Sequence, residues 1–173
     1  INTAFLTGIQ RVSREIVLRL LKSPELDINL LCYSNENEQF RLIDNDAFID
    51  YYENKTGSAS ACILSKSLNI NELDAGAVFF DIDSVWSCRM TRSTLYPLLK
   101  NQGLKIITHV YDIIPITHPQ YCHENTVMHF IEYLGATLQY ADKLIVNTQA
   151  TADQISMVCE RMERKMPPYV VAP

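Results

Sequence analysis

The sequence lacks the features that mark nucleic-acid-binding, membrane-spanning and disulfide-stabilised proteins. Its 15 Lys and Arg residues are outnumbered by 20 Asp and Glu residues, and the net charge of -5 argues against a nucleic-acid partner. No apolar run approaches the roughly 18 to 20 residues that cross a bilayer, and no signal peptide opens the sequence. The five cysteines form no C-x-x-C pair. We therefore expect reduced thiols in a cytoplasmic protein.

Motifs for binding free nucleotides are also missing. Neither G-x-G-x-x-G nor a Walker sequence occurs, which argues against a nucleotide-binding regulatory domain. Internal repeats, low-complexity tracts and linkers are absent too, so the pattern predicts a single domain over residues 1–173. The sequence begins at Ile1 without Met and ends in a strand-like run at 170–173, so we expect it to be part of a longer polypeptide.

What is present is an alternation of amphipathic segments and short apolar runs. Helical periodicity, as in the stripe Ile9, Val12 and Ile16, predicts helices over 8–22, 91–100, 124–140 and 151–163. Apolar runs predict strands over 28–33, 40–43, 77–80, 104–110 and 143–146. The polar stretch 44–76 indicates only short helices near 45–54 and 60–68. Thr7 and Thr151 are the expected N-caps of the first and last helices.

This alternation predicts an α/β fold with a Rossmann-like, doubly wound parallel sheet. In such sheets, ligands bind beyond the carboxyl ends of the strands. Four polar segments should converge at that edge: 7–8, 81–86, 111–118 and 147–149. Their position is the argument for a functional site that does not depend on any resemblance.

Four blocks in register also resemble a known family. The segments 7–12 (TGIQRV), 80–86 (FDIDSVW), 110–119 (VYDIIPITHP) and 146–151 (VNTQAT) resemble the amino-terminal domain of retaining glycosyltransferases of the GT-B fold, family 4 or group 1. The resemblance implies two facing Rossmann-like domains, of which the amino-terminal one holds the acceptor. It implies a metal-independent reaction without a cofactor. The family's carboxy-terminal, donor-binding domain with its paired glutamates is absent from these residues.

Two residues at the start of the first helix are candidates for contact with the donor diphosphate. Gly8 has no Cβ, so a phosphate can approach the free N–H groups and the partial positive charge of the helix N-terminus. Arg11 lies one turn further and could add a charge-assisted hydrogen bond. The alternatives are a helix start that needs a small residue and a solvated arginine.

The segment after the fourth predicted strand carries the candidate catalytic residues. Asp112 could orient an acceptor hydroxyl, accept its proton or bind the transferred sugar, or it could simply cap the turn at 113–115. His118 could bind sugar or shuttle a proton, or it could be an exposed loop histidine. Many family members carry His immediately before the Asp, where this chain has Tyr111. Tyr111 could stack on an acceptor sugar or pack in the core.

Asp81, Asp83 and Trp86 are the remaining candidates for binding the acceptor. The D-x-D pair at 81 and 83 also matches the metal-binding signature of another glycosyltransferase fold, but the surrounding blocks favour the metal-independent one. Trp86 could contact the apolar face of a sugar or pack in the core. The cluster His118, Cys122, His123 and His129 does not have the spacing of a structural zinc site, so we expect no metal.

The resemblance therefore implies the acceptor-side half of a glycosyltransferase that moves a hexosyl group, with retention, from a nucleotide-diphosphate sugar to a saccharide or lipid-linked acceptor. Many family members build bacterial surface polysaccharides. The alternative is a non-catalytic saccharide-binding or assembly module of a polysaccharide-synthesis complex.

The predicted first helix also carries four basic residues that would help a peripheral approach to the inner face of the cell membrane: Arg11, Arg14, Arg19 and Lys22. Glu15 and the negative net charge of the chain oppose such an approach. The sugar, nucleotide, acceptor and linkage stay open.

Overall fold

A computed structural model describes residues 8–172 of the chain. The chain divides into two compact units, with the boundary between Glu72 and Leu73. The proposal that the whole chain acts as one amino-terminal domain stays a prediction. No helix among the described residues is both long and apolar enough to cross a membrane.

The first unit joins a helix to an antiparallel sheet. Helix α1 (Gly8–Leu21) confirms the predicted amphipathic segment and buries Ser13 and Leu18. The sheet has the strand order β1-β2-β3 and consists of β1 (Leu30–Ser34), β2 (Gln39–Ile43) and β3 (Ile63–Ser67). Between β2 and β3 lie α2 (Asn45–Ile49), a π-helical turn (Asp50–Asn54) and a 3-10 turn (Ala59–Cys62).

The predicted helix near 60–68 is wrong, because most of that segment is strand β3. Its register places Ser67 opposite Arg41, and the backbone N–H of Leu68 donates to Phe40 O over 2.8 Å. Backbone pairing with a strand about 20 residues earlier is a non-local interaction that sequence periodicity does not show. All three strands of this unit pair antiparallel, so the runs at 28–33 and 40–43 do not join the parallel sheet.

The second unit contains the parallel sheet that the alternation predicted, in the strand order β4-β5-β6-β7. Its strands are β4 (Val78–Asp81), β5 (Lys105–Val110), β6 (Lys143–Val146) and β7 (Tyr169–Val171). The helices that connect them are α3 (Arg92–Asn101), the short α4 (Ile114–Thr117), α5 (Glu124–Tyr140) and α6 (Gln149–Arg161). A mixed α/β fold with a four-stranded parallel sheet flanked by helices confirms the predicted Rossmann-like class.

Buried apolar side chains hold these elements together. Ile106, Leu144, Val146 and Ile155 are completely buried, and α3 packs against α5. At about 25 cal/mol per Å² of apolar surface, each such side chain contributes about 1.5 to 3 kcal/mol through burial. The connection from α3 to β5 turns at Gly103, whose φ of +83° suits a residue without Cβ.

Helix α6 begins two residues before its predicted start. Its N-cap is Thr148 rather than Thr151, and the Thr148 hydroxyl accepts a hydrogen bond from the Thr151 backbone N–H over 3.1 Å. The cap therefore ends the loop that follows β6, and Asn147 is the first residue of that loop.

Candidate functional site

Three of the four segments predicted to form the site follow neighbouring strands of the parallel sheet. Residues 82–86 follow β4, residues 111–118 follow β5, and Asn147 with Thr148 follows β6. Since the strands are parallel, these segments all leave the sheet at its carboxyl edge. Thr7 of the fourth segment lies outside the described residues, and Gly8 belongs to the first unit.

Side-chain contacts fasten these three loops to one another. The Tyr111 hydroxyl donates to Ile82 O over 2.7 Å, which ties the loop after β5 to the loop after β4. Behind it, the rings of His109 and Tyr111 are stacked with centroids 4.1 Å apart and planes 19° from parallel. His109 Nε2 then lies 2.8 Å from Asn147 Oδ1 at the end of β6. The carboxyl edge is therefore a connected structure rather than three independent loops.

His109 is the residue of this site that sequence reasoning missed. It lies inside β5 and is only 2% exposed. Burial lowers the pKa of its imidazole, while the hydrogen bond with Asn147 opposes that shift, so the ring is neutral at neutral pH. A histidine within a predicted buried strand, two residues before Tyr111, was the available signal.

Asp112 is anchored through one oxygen and open at the other. Its Oδ1 accepts a hydrogen bond from the Ile114 backbone N–H over 3.0 Å, which is the turn-capping contact that the sequence left open. Among residues 8–172, the second carboxylate oxygen has no hydrogen-bond partner, and the side chain is half-buried. One oxygen therefore orients the carboxylate while the other stays available to a ligand.

His118 lies on the surface between α4 and a 3-10 turn, Pro119–Tyr121. Its Nδ1 is 2.8 Å from the Thr117 hydroxyl, and its ring stacks on that of Tyr121 with a centroid distance of 6.3 Å. The imidazole is exposed, so it is accessible to a proton or a saccharide, and its catalytic role stays a prediction.

Tyr111 and Trp86 are both used in packing. The Tyr111 hydroxyl is taken by Ile82 O, and one face of its ring covers His109. Trp86 packs edge-on against Phe130 at 5.3 Å between centroids and also contacts Tyr133 at 5.9 Å. These contacts agree with the second of the two roles considered for Trp86, packing in the core. Both rings are half-buried, so their predicted contact with acceptor sugars stays untested.

The expected acceptor contact of Asp81 requires correction. Asp81 is 4% exposed, and its carboxylate receives hydrogen bonds from Arg92 Nε at 2.6 Å and from a terminal guanidinium nitrogen at 3.0 Å. The Tyr96 hydroxyl donates to the same carboxylate over 2.7 Å. Both oxygens are thus used inside the core, because the last residue of β4 directs its side chain toward α3. Because the Asp81 carboxylate is paired with Arg92, only one carboxylate of the D-x-D motif, that of Asp83, is left to bind a metal ion.

The charges of this buried cluster stabilise one another. Burial opposes the charge of Arg92, but the adjacent Asp81 carboxylate outweighs that cost and raises the pKa of the guanidinium. Burial, together with Asp81, also raises the pKa of the Tyr96 phenol far above its usual range. Tyr96 therefore stays protonated and acts as a donor.

Asp83 stays on the surface. Its Oδ1 accepts a hydrogen bond from the Ser84 backbone N–H over 2.7 Å, and the side chain is exposed. Within residues 8–172, no three His, Cys, Asp or Glu side chains come close enough to hold a metal ion, and that includes the cluster from His118 to His129.

Gly8 and Arg11 occupy the first turn of α1, and both are exposed. A Cβ added to Gly8 would meet no atom within 4 Å, so packing does not require glycine there. Two of the other basic residues already have acidic partners: Arg14 on α1 pairs with Glu15 at 2.7 Å, and Lys22, just after α1, pairs with Glu53 at 2.6 Å. These pairs reduce the charge that α1 can offer to a membrane.

Comparison with known proteins gives one distant likeness. The chain is 26% identical over 156 residues to the serotype-specific mannosyltransferase WbdA of Escherichia coli, in two sequences of that protein. The alignment covers 86% of this chain but only 17% of WbdA, so the chain spans a small part of the length of the relatives it matches. No family model matches the chain. No solved structure matches it either. The likeness therefore points to glycosyltransferases at the general level.

Proposed function

We propose that this chain is the acceptor-side half of a retaining GT-B glycosyltransferase of family 4. It would transfer a hexosyl group from a nucleotide-diphosphate sugar to a saccharide or lipid-linked acceptor. The observation that carries the proposal is the likeness to a mannosyltransferase over 86% of the chain. The name of that relative makes mannose the first hexose to test. The proposed donor domain with its paired glutamates would lie in a part of the protein outside this chain.

The loops at the carboxyl edge carry side chains that suit such a reaction. Asp112 keeps one carboxylate oxygen on Ile114 N, so its other oxygen can accept a hydrogen bond from the acceptor hydroxyl in a fixed direction. The exposed imidazole of His118 is proposed to exchange a proton with solvent or to bind the sugar. Asp83, exposed after β4, is proposed to bind the acceptor.

The donor diphosphate is proposed to lie against the start of α1. The exposed N-terminus of a helix offers N–H groups and a partial positive charge to phosphate, and Gly8 leaves that approach unobstructed. Arg11 would add a charge-assisted hydrogen bond. Cationic groups of the donor domain would contribute more of the stabilisation of the departing diphosphate, without a metal ion.

Transfer assays with the full-length natural protein test this proposal. We expect the protein to transfer a hexose from one member of a panel of nucleotide sugars, GDP-mannose first, to a mannose-containing oligosaccharide. The variant Asp112→Asn keeps an oxygen for Ile114 N but loses the basic oxygen, so kcat/KM should fall by about 100-fold. The matched control Asp153→Asn lies on α6, where the carboxylate only accepts from the Gln149 side chain, and should keep full activity.

Two results would count against the proposal. A protein that binds oligosaccharide but turns over no nucleotide sugar would favour the non-catalytic saccharide-binding or assembly module. Transfer that is equally fast in Asp112→Asn and in the wild type would remove Asp112 from the mechanism while leaving the transferase assignment in place.

A further inference from the structure

Asn147 lies at the carboxyl edge of the parallel sheet. It is the first residue after β6, and β6 is the strand next to β5 in the parallel sheet. Asn147 is half-buried, whereas its partner His109 on β5 is buried. Ligands of parallel α/β sheets bind beyond this edge, so the side chain that ends β6 is well placed to meet one.

The hydrogen bond to His109 fixes which way the Asn147 amide faces. Asn147 Oδ1 is a carbonyl oxygen and can only accept, so His109 Nε2, 2.8 Å away, carries the proton and donates. The other ring nitrogen, Nδ1, then has a bare lone pair. It is buried without a hydrogen-bond partner among residues 8–172. A buried lone pair without a partner costs less than a buried charge without one, which agrees with the neutral ring.

The imidazole is held by stacking as well as by this bond. Its face is stacked on Tyr111 at 4.1 Å between ring centroids, and Tyr111 is held in turn by the hydrogen bond of its hydroxyl to Ile82 O. A donor locked in this way restricts its acceptor to one orientation. Three contacts therefore connect the loop after β4 to the amide at the end of β6. They are the hydrogen bond of Tyr111 to Ile82 O, the stack of Tyr111 on His109, and the hydrogen bond of His109 to Asn147.

Because Asn147 Oδ1 accepts the hydrogen bond from His109, the two N–H donors of the Asn147 amide nitrogen point away from His109. Within the described part of the chain this nitrogen has no hydrogen-bond partner, and it is not among the buried atoms that lack one. It is thus accessible at the edge where Asp112 also offers an open oxygen. Fixed N–H donors and an open carboxylate oxygen that follow neighbouring strands of the sheet suit a polyhydroxyl ligand, whose hydroxyl groups both accept and donate.

We propose that Asn147 binds a hydroxyl oxygen of the acceptor saccharide through its amide N–H groups and that His109 is the positioning residue that holds this amide in place. The inference rests on the proposed function, because it takes the ligand of this edge to be the acceptor. Neither residue takes part in bond making. Both act on the affinity and orientation of the acceptor.

The test is a mutant cycle in the full-length natural protein, with a tagged α-mannotriose as acceptor and GDP-mannose as donor. Asn147→Ala should raise the acceptor KM about five- to tenfold, as expected for the loss of one hydrogen bond to a ligand, and leave the donor KM and kcat nearly unchanged. His109→Leu should raise the acceptor KM by a similar factor. His109→Gln, which can still donate an N–H to Asn147, should restore most of the affinity. The matched control Asn101→Ala removes an exposed amide at the far end of α3 and should have no effect.

The double variant separates positioning from a general structural role. If His109 acts through Asn147, the variant with both Asn147→Ala and His109→Leu should bind the acceptor no more weakly than Asn147→Ala alone. Additive losses, or an unchanged acceptor KM in Asn147→Ala, would overturn the proposal.

A binding experiment separates this inference from the proposed function. If the wild type transfers no sugar, the proposed function fails, and binding of the mannotriose to the same variants, measured by saturation-transfer NMR, decides the inference independently. Binding that Asn147→Ala weakens supports it, and binding that is absent from the wild type or unchanged in the variant overturns it.

Discussion

At the scale of single residues, the Asp81 carboxylate receives three hydrogen bonds in a place closed to water. Asp81 and Arg92 are 4% and 3% exposed, so neither charge can be hydrated if the other is removed. We therefore predict that Asp81→Asn lowers the free energy of unfolding by about 3 to 5 kcal/mol, measured by urea denaturation. The exposed Asp83→Asn is the control and should change it by less than about 0.5 kcal/mol.

A double variant tests whether the unpaired charge of Arg92 causes the predicted loss of stability in Asp81→Asn. Replacing both partners, as in Asp81→Leu with Arg92→Met, removes both charges, so it should be less destabilising than Asp81→Asn alone. A double variant that loses more stability than the single one would show that shape and hydrogen bonding, rather than the unpaired charge, dominate at this site.

The same pair shows what a short motif cannot reveal. The letters Asp81-Ile82-Asp83 are equally compatible with two ligand-binding carboxylates and with one buried and one exposed. Which case holds depends on where β4 ends and on Arg92, eleven residues later on α3. His109 was overlooked for a related reason, because its partner Asn147 lies 38 residues away. The turn at Asp112, whose partner Ile114 is two residues away, was correctly offered as an alternative.

At the scale of elements, local signals predicted the helices and strands of the second unit and most of those of the first, but not how the strands of the first unit pair. Helix α5 and strand β6 have the predicted bounds, because each carries a strong apolar period and is buried on a continuous face. Strand β3 was mistaken for a helix, since four of its five residues are exposed and only its pairing with β2 identifies it. The parallel sheet is predictable from periodicity, and the antiparallel one depends on contacts that periodicity does not encode.

The start of α6 gives an element-scale prediction. Thr148 Oγ1 accepts from the Thr151 N–H and also lies 3.0 Å from the Thr151 hydroxyl, so it satisfies a backbone donor that the helix itself leaves unpaired. Thr148→Ala should therefore lower the free energy of unfolding by about 1 kcal/mol in urea denaturation. Thr148→Ser keeps the oxygen and should recover most of the loss. Equal destabilisation by Ala and Ser would assign the effect to the threonine methyl group instead of the cap.

At the scale of the whole molecule, the blocks that suggested a glycosyltransferase are divided between the two compact units. Gly8 and Arg11 belong to the first unit, whereas Asp83, Asp112 and His118 belong to the second. The proposed donor and acceptor contacts therefore reside in separate packing units of the same chain. Because proteins open locally in contiguous cooperative units, we expect the chain to open first at the boundary between its two compact units.

Limited proteolysis measures that opening directly. Glu72 is exposed and ends a 3-10 turn at the boundary, whereas Glu132 lies within α5 and accepts a hydrogen bond from Ser93 N over 2.7 Å. A glutamate-specific protease at low concentration should thus cleave after Glu72 well before it cleaves after Glu132, with the fragments identified by mass spectrometry. Glu72→Gln should abolish the early cut without changing the later ones. Early cleavage within α5 would instead mean that the second unit opens as readily as the boundary does, and the division into two units would not describe how the chain unfolds.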